Sequence, residues 1–374
     1  MGIVGAGSRA RSHISVLLKL RDKYRLVAVC DVDVLRAKSV ADNVGVKAYD
    51  DLEKMLSEEK LDACLIAVQA EGHHVVANTL AQKGIHILTE TPIAITVACA
   101  DYMIKAAREN GVLLEVSENV PRWPQERLKQ KIVADGILGE VKSFYLSYVS
   151  GSYHGIAAIR SILKSEVKSV VGVFPPLDSI LEKAEINLLN GITGVYEFNR
   201  NRGNYWEING TEASLKGGEL YFKNGQVFKI NIETAEVDGC LRVVGAKVST
   251  RPELFLQTPL SIYPLTDYDE VAIADAWISL YNAIVYDEPL NYGSENAKRD
   301  LEVLMAIRDS EMRNGVKVNL PLEGITTYEK TVHEEFAKVY GLDPLELNPQ
   351  HLKTKYVLPK RLWDLMYYGR VLQQ

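Results

Sequence analysis

The chain offers three places where residue type and spacing could do chemistry. The first is "GIVGAGSRA" near the start, which sets Gly5, Gly7 and Ala10 in the spacing GxGxxA between an apolar strand and a helix. A phosphate must come close to backbone amides. Gly5 permits the tight turn, Gly7 leaves no side chain in the path, and Ala10 lets helix and strand pack closely. Asp31 closes the next apolar run, "LVAVCD", about 20 residues on, where a carboxylate can accept hydrogen bonds from the hydroxyls of an adenosine ribose. Such a carboxylate repels a 2'-phosphate, which favours NAD over NADP. Arg9 and Arg36 lie near enough in sequence for one of them to reach round and offset it.

The second place is "ILTETPIA", residues 87–94, where a strand runs into Glu90, Thr91 and Pro92 before a helix. The third is "SGSYHGIAAIR", with Tyr153 beside His154 and Arg160 about a turn and a half further along a helix. Hydride transfer from a carbinol needs a base that titrates near neutrality; histidine can serve and threonine cannot. Each residue also has a purely structural reading. Thr91 could bond its own backbone ahead of Pro92, which favours extended geometry before it. His154 could be a solvated helix-start residue and Arg160 a surface charge. Arg122 and Trp123, in "ENVPRWP", fit either a pocket wall or domain packing, and Glu118 and Asn119 are marked out only by their place at a strand end.

These residues need a scaffold. Over the first 120 residues, continuous apolar runs ("LVAVCD", "DACLIAV", "IHILTE") alternate with helical patterns ("DVLRAKSVADNV", "HHVVANTLAQKG"), and Ala10, Ile14, Leu17 and Leu18 recur at helical spacing in the opening helix. This is the pattern of a doubly wound parallel sheet with helices on both faces. From about residue 140, "VKSFYLSYVS", "GITGVYEFNR", "NYWEING", "ELYFKNG" and "QVFKINIE" alternate apolar with polar residues between Gly and Asn turns. They predict an open, mostly antiparallel sheet with one wet face. Two long helices follow, "DYDEVAIADAWISLYNAIVYD" and "SENAKRDLEVLMAIRDSEMRNG". The expected division is 1–120 for the nucleotide domain, 121–325 for an α/β substrate and oligomerisation domain, and 326–374 for a weakly helical tail.

The chain has 374 residues and a net charge of -6, which suits small polar substrates and argues against a nucleic-acid surface. No apolar run approaches about 18 residues and no basic leader precedes an apolar core, so a soluble cytoplasmic protein without membrane contact is expected. Cys30, Cys64, Cys99 and Cys240 have neither metal-ligand nor redox spacing.

The opening fingerprint, "TETPIA", "ENVPRWP", "ADGILGEV", "WEINGTEASL" and "ENAKRDLEVLMAIRDS" together, over residues 1–320, resemble the Gfo/Idh/MocA oxidoreductases. The resemblance implies a Rossmann domain, a nicotinamide cofactor, an α/β domain whose open sheet often forms dimers or tetramers, and a sugar, inositol or related polyol as substrate. Carried across, it puts Gly5, Gly7, Ala10, Asp31, His73, Glu90, Thr91 and Pro92 at the cofactor and His154 at the family's histidine position in the active site. Beside these, Ser8, Arg9 and Val68 are expected at the cofactor, Tyr153 with His154 at the proton transfer, and Arg122, Trp123 and Arg160 at the substrate. Two departures stand out. Thr91 replaces the usual lysine of a Glu-Lys-Pro triplet, and the acids expected around His154 are Ser150 and Ala157. Three functions are therefore carried forward: an NAD-dependent dehydrogenase of a sugar-like alcohol; a redox-neutral enzyme that cleaves glycosides by transient oxidation, elimination, hydration and re-reduction; and a non-catalytic nucleotide- or sugar-binding protein.

Overall fold

The computed structural model describes residues 1–176, 178–353 and 358–372. Contacts divide the chain into two units, one of Met1–Glu118, Ile273–Lys298 and Thr331–Trp363, the other of Asn119–Ala272, Arg299–Lys330 and Asp364–Gln374.

In the first unit, strands β1 (Gly2–Val4), β2 (Ala28–Cys30), β3 (Lys47–Tyr49), β4 (Ala63–Ile66), β5 (His86–Thr89) and β6 (Leu114–Val116) alternate with helices α1 (Ser8–Leu17), α2 (Val34–Val44), α3 (Leu52–Glu58), α4 (His73–Gln82) and α5 (Val97–Glu109). The strands pair in parallel in the order β3-β2-β1-β4-β5-β6. This order reverses direction beside β1, and there the carboxyl ends of the strands open a crevice. Ile3, Val29, Leu65 and Ile66 are fully buried, as strands covered on both faces require. Local chemistry sets the helix ends. Asp33, Asp51 and Thr96 cap α2, α3 and α5 with side-chain oxygens, and Gly84 takes a left-handed turn just beyond α4. Leu18 departs from expectation: it lies past the end of α1 and is 41% exposed, while His13 occupies the inward face.

In the second unit, α6 (Pro124–Ala134) and α7 (Ser152–Leu163) accompany β7 (Val141–Ser147), β8 (Val167–Val173), β9 (Ile180–Leu188), β10 (Thr193–Asn199), β11 (Tyr205–Gly210), β12 (Ala213–Lys216), β13 (Glu219–Phe222), β14 (Val227–Val237), β15 (Cys240–Val248) and β16 (Leu254–Gln257). The chain ends with α8 (Tyr268–Tyr286), α9 (Gly293–Met312), β17 (Val318–Asn319), α10 (Thr327–Tyr340) and α11 (Lys360–Tyr368). An 11-stranded sheet runs β16-β15-β14-β13-β12-β11-β7-β10-β9-β8-β17, and its β7–β10 pair is parallel while the other recorded pairs are antiparallel. Along β9, Ala184, Ile186 and Leu188 are buried while Lys183 and Glu185 face water, so one face is wet as the alternation predicts.

The tail is more ordered than its composition suggests. Tyr328, Val332 and Phe336 recur at i, i+4 and i+8 and are buried, which makes α10 a firm amphipathic helix. Residues 331–363 group with the first unit instead of standing apart as a tail. Residues 354–357 and 373–374 of the expected tail lie outside the described residues.

The second unit also buries an ion pair. Arg308 donates to Glu182 at 2.8 Å, to the Tyr328 hydroxyl at 3.0 Å, and to the carbonyls of Met366 and Tyr367 at 2.8 and 2.9 Å. Glu182 also accepts from Tyr196 at 2.7 Å. Arg308→Met strands the Glu182 carboxylate in the core and is expected to cost about 3–5 kcal/mol of unfolding free energy in a urea titration, whereas a loss under about 1 kcal/mol would contradict the role given to the pair.

Candidate functional site

The turn between β1 and α1 is built by close backbone approach. Gly5 has φ +96°, and a Cβ there would fall 2.3 Å from the Ala67 carbonyl oxygen, so only glycine lets β1 turn beside the end of β4. Gly7 differs. Its φ of -73° suits any residue, and a Cβ on it would meet nothing within 4 Å. It stands at the N-cap of α1 without a side-chain cap, so the first amides of the helix face outward. Ala10 is fully buried beneath them. Asp31 is 7% exposed, and its two oxygens accept the amides of Ala6 and Asp33, each at 2.8 Å. These bonds fix the carboxylate and leave lone pairs for further donors.

A groove of about 420 Å³ runs along this corner, lined by Gly5, Gly7, Ser8, Arg9, Asp31 and Val68 among others. Its shape and donor set fit a dinucleotide: outward helix amides for a diphosphate, and a fixed carboxylate for a ribose diol. Arg36 also lines it, with its guanidinium 3.5 Å from Asp31 and 3.3 Å from Asp33.

The remaining cofactor residues expected from the sequence support the groove from behind. Glu90 is 5% exposed and accepts from Arg9 Nε at 3.0 Å and His13 Nε2 at 2.6 Å. Burial pushes its carboxyl up, but His13 and Arg9 outweigh that and bring it down to about 2, so it is ionised. The indole of Trp277 donates to His13 Nδ1 at 2.9 Å. An indole N–H can only donate, so Nδ1 is the unprotonated nitrogen and Nε2 carries the proton given to Glu90. The sequence reading missed both His13 and Trp277. The signal for His13 was a polar residue three positions after Ala10 on the inward face of α1.

His73 is 1% exposed, with Nδ1 3.0 Å from the Pro92 carbonyl and Nε2 3.1 Å from that of Val68. It ties the loop after β4 to the loop after β5 and does not line the groove; burial holds its pKa below the usual range. Thr91 is half-buried, its amide donates to Glu90 Oε2 at 3.3 Å, and its peptide bond to Pro92 is cis. Pro92 does not open the next helix, because Thr96 caps α5 four residues later.

Within the second unit, Gly151 turns the chain at φ +89° into α7, and a Cβ there would lie 2.9 Å from the Tyr153 hydroxyl, so the tyrosine folds back over the glycine. Tyr153 and His154, both half-buried, have ring centroids 4.4 Å apart, and Tyr148 lies 6.1 Å from His154. Gly155 lets Tyr148 in, since a Cβ would stand 2.7 Å from its ring. Arg160 corrects the sequence expectation. It is 6% exposed and gives its guanidinium to Glu166 at 2.7 Å and Asp300 at 2.5 Å, so two carboxylates hold it as a structural ion pair and leave it unsuited to a substrate anion. Arg122 is 2% exposed in a tight turn, and Trp123 packs edge-on to Tyr268 at 5.1 Å, so both contribute to the packing of this unit.

Residues 1–118 match the model of an oxidoreductase family with an NAD-binding Rossmann fold. D-apiose dehydrogenase of Paraburkholderia graminis is 32% identical over 138 residues, which cover 37% of this chain and 36% of that protein. The 2,7-anhydro-N-acetylneuraminate hydratase of Mediterraneibacter gnavus is 25% identical over 139 residues, covering 37% of this chain and 36% of that protein. The chain thus spans about a third of these curated relatives. Among solved structures, the WlbA dehydrogenase from Bordetella pertussis, in complex with NADH and UDP-GlcNAcA, superposes with a TM-score of 0.65 at 19% identity, covering 86% of this chain and 97% of that one, which establishes the shared fold.

Gly5 and Gly7 separate folding from binding. Gly7→Ala meets no protein atom, so it should melt like the wild type and weaken NADH binding about tenfold or more in a fluorescence titration. Gly5→Ala should lower the melting temperature itself. An alanine at position 7 that leaves binding unchanged would contradict the placement of the diphosphate.

Proposed function

We propose that the chain, whose residues 1–118 match an oxidoreductase family with an NAD-binding Rossmann fold, is a member of the Gfo/Idh/MocA oxidoreductases and an NAD-dependent dehydrogenase acting on a CH–OH group of a sugar or polyol. The observation that carries this reading is the pairing of an uncapped, open Gly7 turn with the fixed Asp31 carboxylate in one groove. The groove lining also supports NAD over NADP. Five carboxyl side chains, Asp31, Asp50, Asp51, Glu53 and Glu71, face three cations, Arg9, Arg36 and Lys353, and Arg36 is already shared between Asp31 and Asp33. A 2'-phosphate would add charge to an acidic wall.

A bound nicotinamide supplies the acceptor for the hydride. His154 then takes the hydroxyl proton of the substrate, with the Tyr153 ring tilted against its own at 4.4 Å, because Thr91 stands where the family's lysine would assist. Glu90, ionised and held by Arg9 and His13, keeps the loop after β5 in place. The open face of the 11-stranded sheet is the surface we assign to a homo-oligomer. No helix among the described residues is long and apolar enough to cross a membrane. Cys30 and Cys64 are buried outside any disulfide, which supports the reducing cytoplasmic setting proposed for the chain.

A second reading is favoured by one relative, the anhydro-sugar hydratase, and by Thr91. In it the hydride removed from the sugar is returned after elimination and hydration, with no net NADH. A panel of sugars, polyols and glycosides decides between them. The first reading predicts steady NADH formation by absorbance, lost by about a hundredfold or more in His154→Ala with NADH affinity unchanged. The second predicts product without NADH and solvent deuterium at the carbon beside the oxidised one. Undiminished turnover in His154→Ala would remove His154 from the proton transfer.

A further inference from the structure

The groove lining also carries an apolar set, Val32, Leu52, Val76, Pro349 and Leu352, interleaved with Asp50, Asp51, Glu53 and Lys353; Pro349, Leu352 and Lys353 come from the C-terminal segment, far outside the 1–118 stretch that matches the family. Along a dinucleotide, the diphosphate at the Gly7 turn and the ribose at Asp31 leave the base beyond the ribose, against these apolar walls. A Cβ on Gly72 would lie 3.2 Å from Val68 Cγ2 and 3.4 Å from Leu352 Cδ2, so Leu352 packs closely against Gly72 in the groove lining.

The segment that carries Leu352 is fixed to the first unit at several points. His74 Nε2 donates to the Pro344 carbonyl at 2.8 Å, and His333 bridges Asp343 Oδ2 at 3.0 Å and the Thr96 hydroxyl at 2.9 Å. Next to Leu352, Lys353 pairs with Asp51 at 2.6 Å. Burial brings His74 down to about 4, so this anchor stays uncharged at neutral pH.

Among the described residues, one carboxyl oxygen at this end has no protein partner. Glu71 is 3% exposed, lines the groove, and its Oε1 makes no hydrogen bond within the protein. A buried acceptor left unmatched is costly, so a donor from a ligand is the natural complement.

Resting on the reading of the groove as a dinucleotide site, we propose that its far end is an adenine-selective subsite completed by the C-terminal segment, in which Leu352 packs on the base and Glu71 accepts from the exocyclic amino group. An adenine has an apolar aromatic face and an amino donor on its edge, which match the wall and the acceptor. Hypoxanthine carries a carbonyl oxygen in place of that amino group and leaves Glu71 opposite an acceptor.

The test is calorimetric titration of the full-length protein with NAD and with its hypoxanthine analogue, without substrate. The wild type should bind NAD about tenfold or more tightly than the analogue. Glu71→Ala should lower NAD affinity and bring the two ligands within about twofold of each other, and Glu71→Gln, whose amide can turn an N–H toward the hypoxanthine carbonyl, should narrow the preference while keeping NAD affinity closer to the wild type. Leu352→Ala should weaken both ligands about tenfold alike, and Leu352→Met should restore them. Melting curves of each variant separate lost binding from lost folding. Wild-type affinities and preference in both Glu71→Ala and Leu352→Ala would overturn the subsite and leave the dinucleotide reading standing. A wild type that binds neither ligand would overturn both.

Discussion

The first unit depends on one close approach of backbone to backbone, at Gly5. The turn after β1 can pass the end of β4 only because position 5 has no Cβ, and the carbonyl of Ala67 fills the space where one would stand. That approach sets the start of α1 above the crevice with its amides outward, and from this Ala6 reaches the Asp31 carboxylate. Two positions on, Gly7 is unconstrained by the protein, which supports the cofactor role proposed for it. The structural constraint and the proposed binding role thus fall on two glycines two positions apart.

Behind the groove, a chain of polar contacts holds the chemistry-bearing loops. Trp277, His13, Glu90 and Arg9 form one line of hydrogen bonds through the interior, and His73 ties two strand ends together. Each link gives a buried polar group a partner, and a buried carboxylate without partners would neutralise itself instead. Glu90 remains charged because two donors outweigh its burial. Thr91, beside it, has no group that titrates near neutrality, which is why a proton-transfer role is proposed for His154 instead.

Much of this was legible in the sequence. The GxGxxA turn, Asp31 at the end of β2, the continuous apolar strands and the alternating strands of the second unit all rest on short-range rules, and each lies where its local pattern puts it. What escaped depends on pairs far apart in the chain. Arg160 read as an open question because Asp300 is distant in sequence, yet that carboxylate together with Glu166 decides its role. His13 looked like one helix position among many until Trp277 and Glu90 closed on either side of it. The tail read as charged and weakly helical because its apolar positions are sparse, although Val332 and Phe336 are enough to seat α10, and nothing local pointed Pro349 and Leu352 toward a groove begun at Gly5.

The central claim is that the groove between the Gly7 turn, Asp31 and Leu352 holds one nicotinamide dinucleotide per chain. Native mass spectrometry of the full-length protein, with NAD supplied during purification, tests it most directly because it reads ligand mass and chain number together. The account predicts an added mass of one dinucleotide for each chain in the assembly. Unliganded chains at every NAD concentration would contradict it.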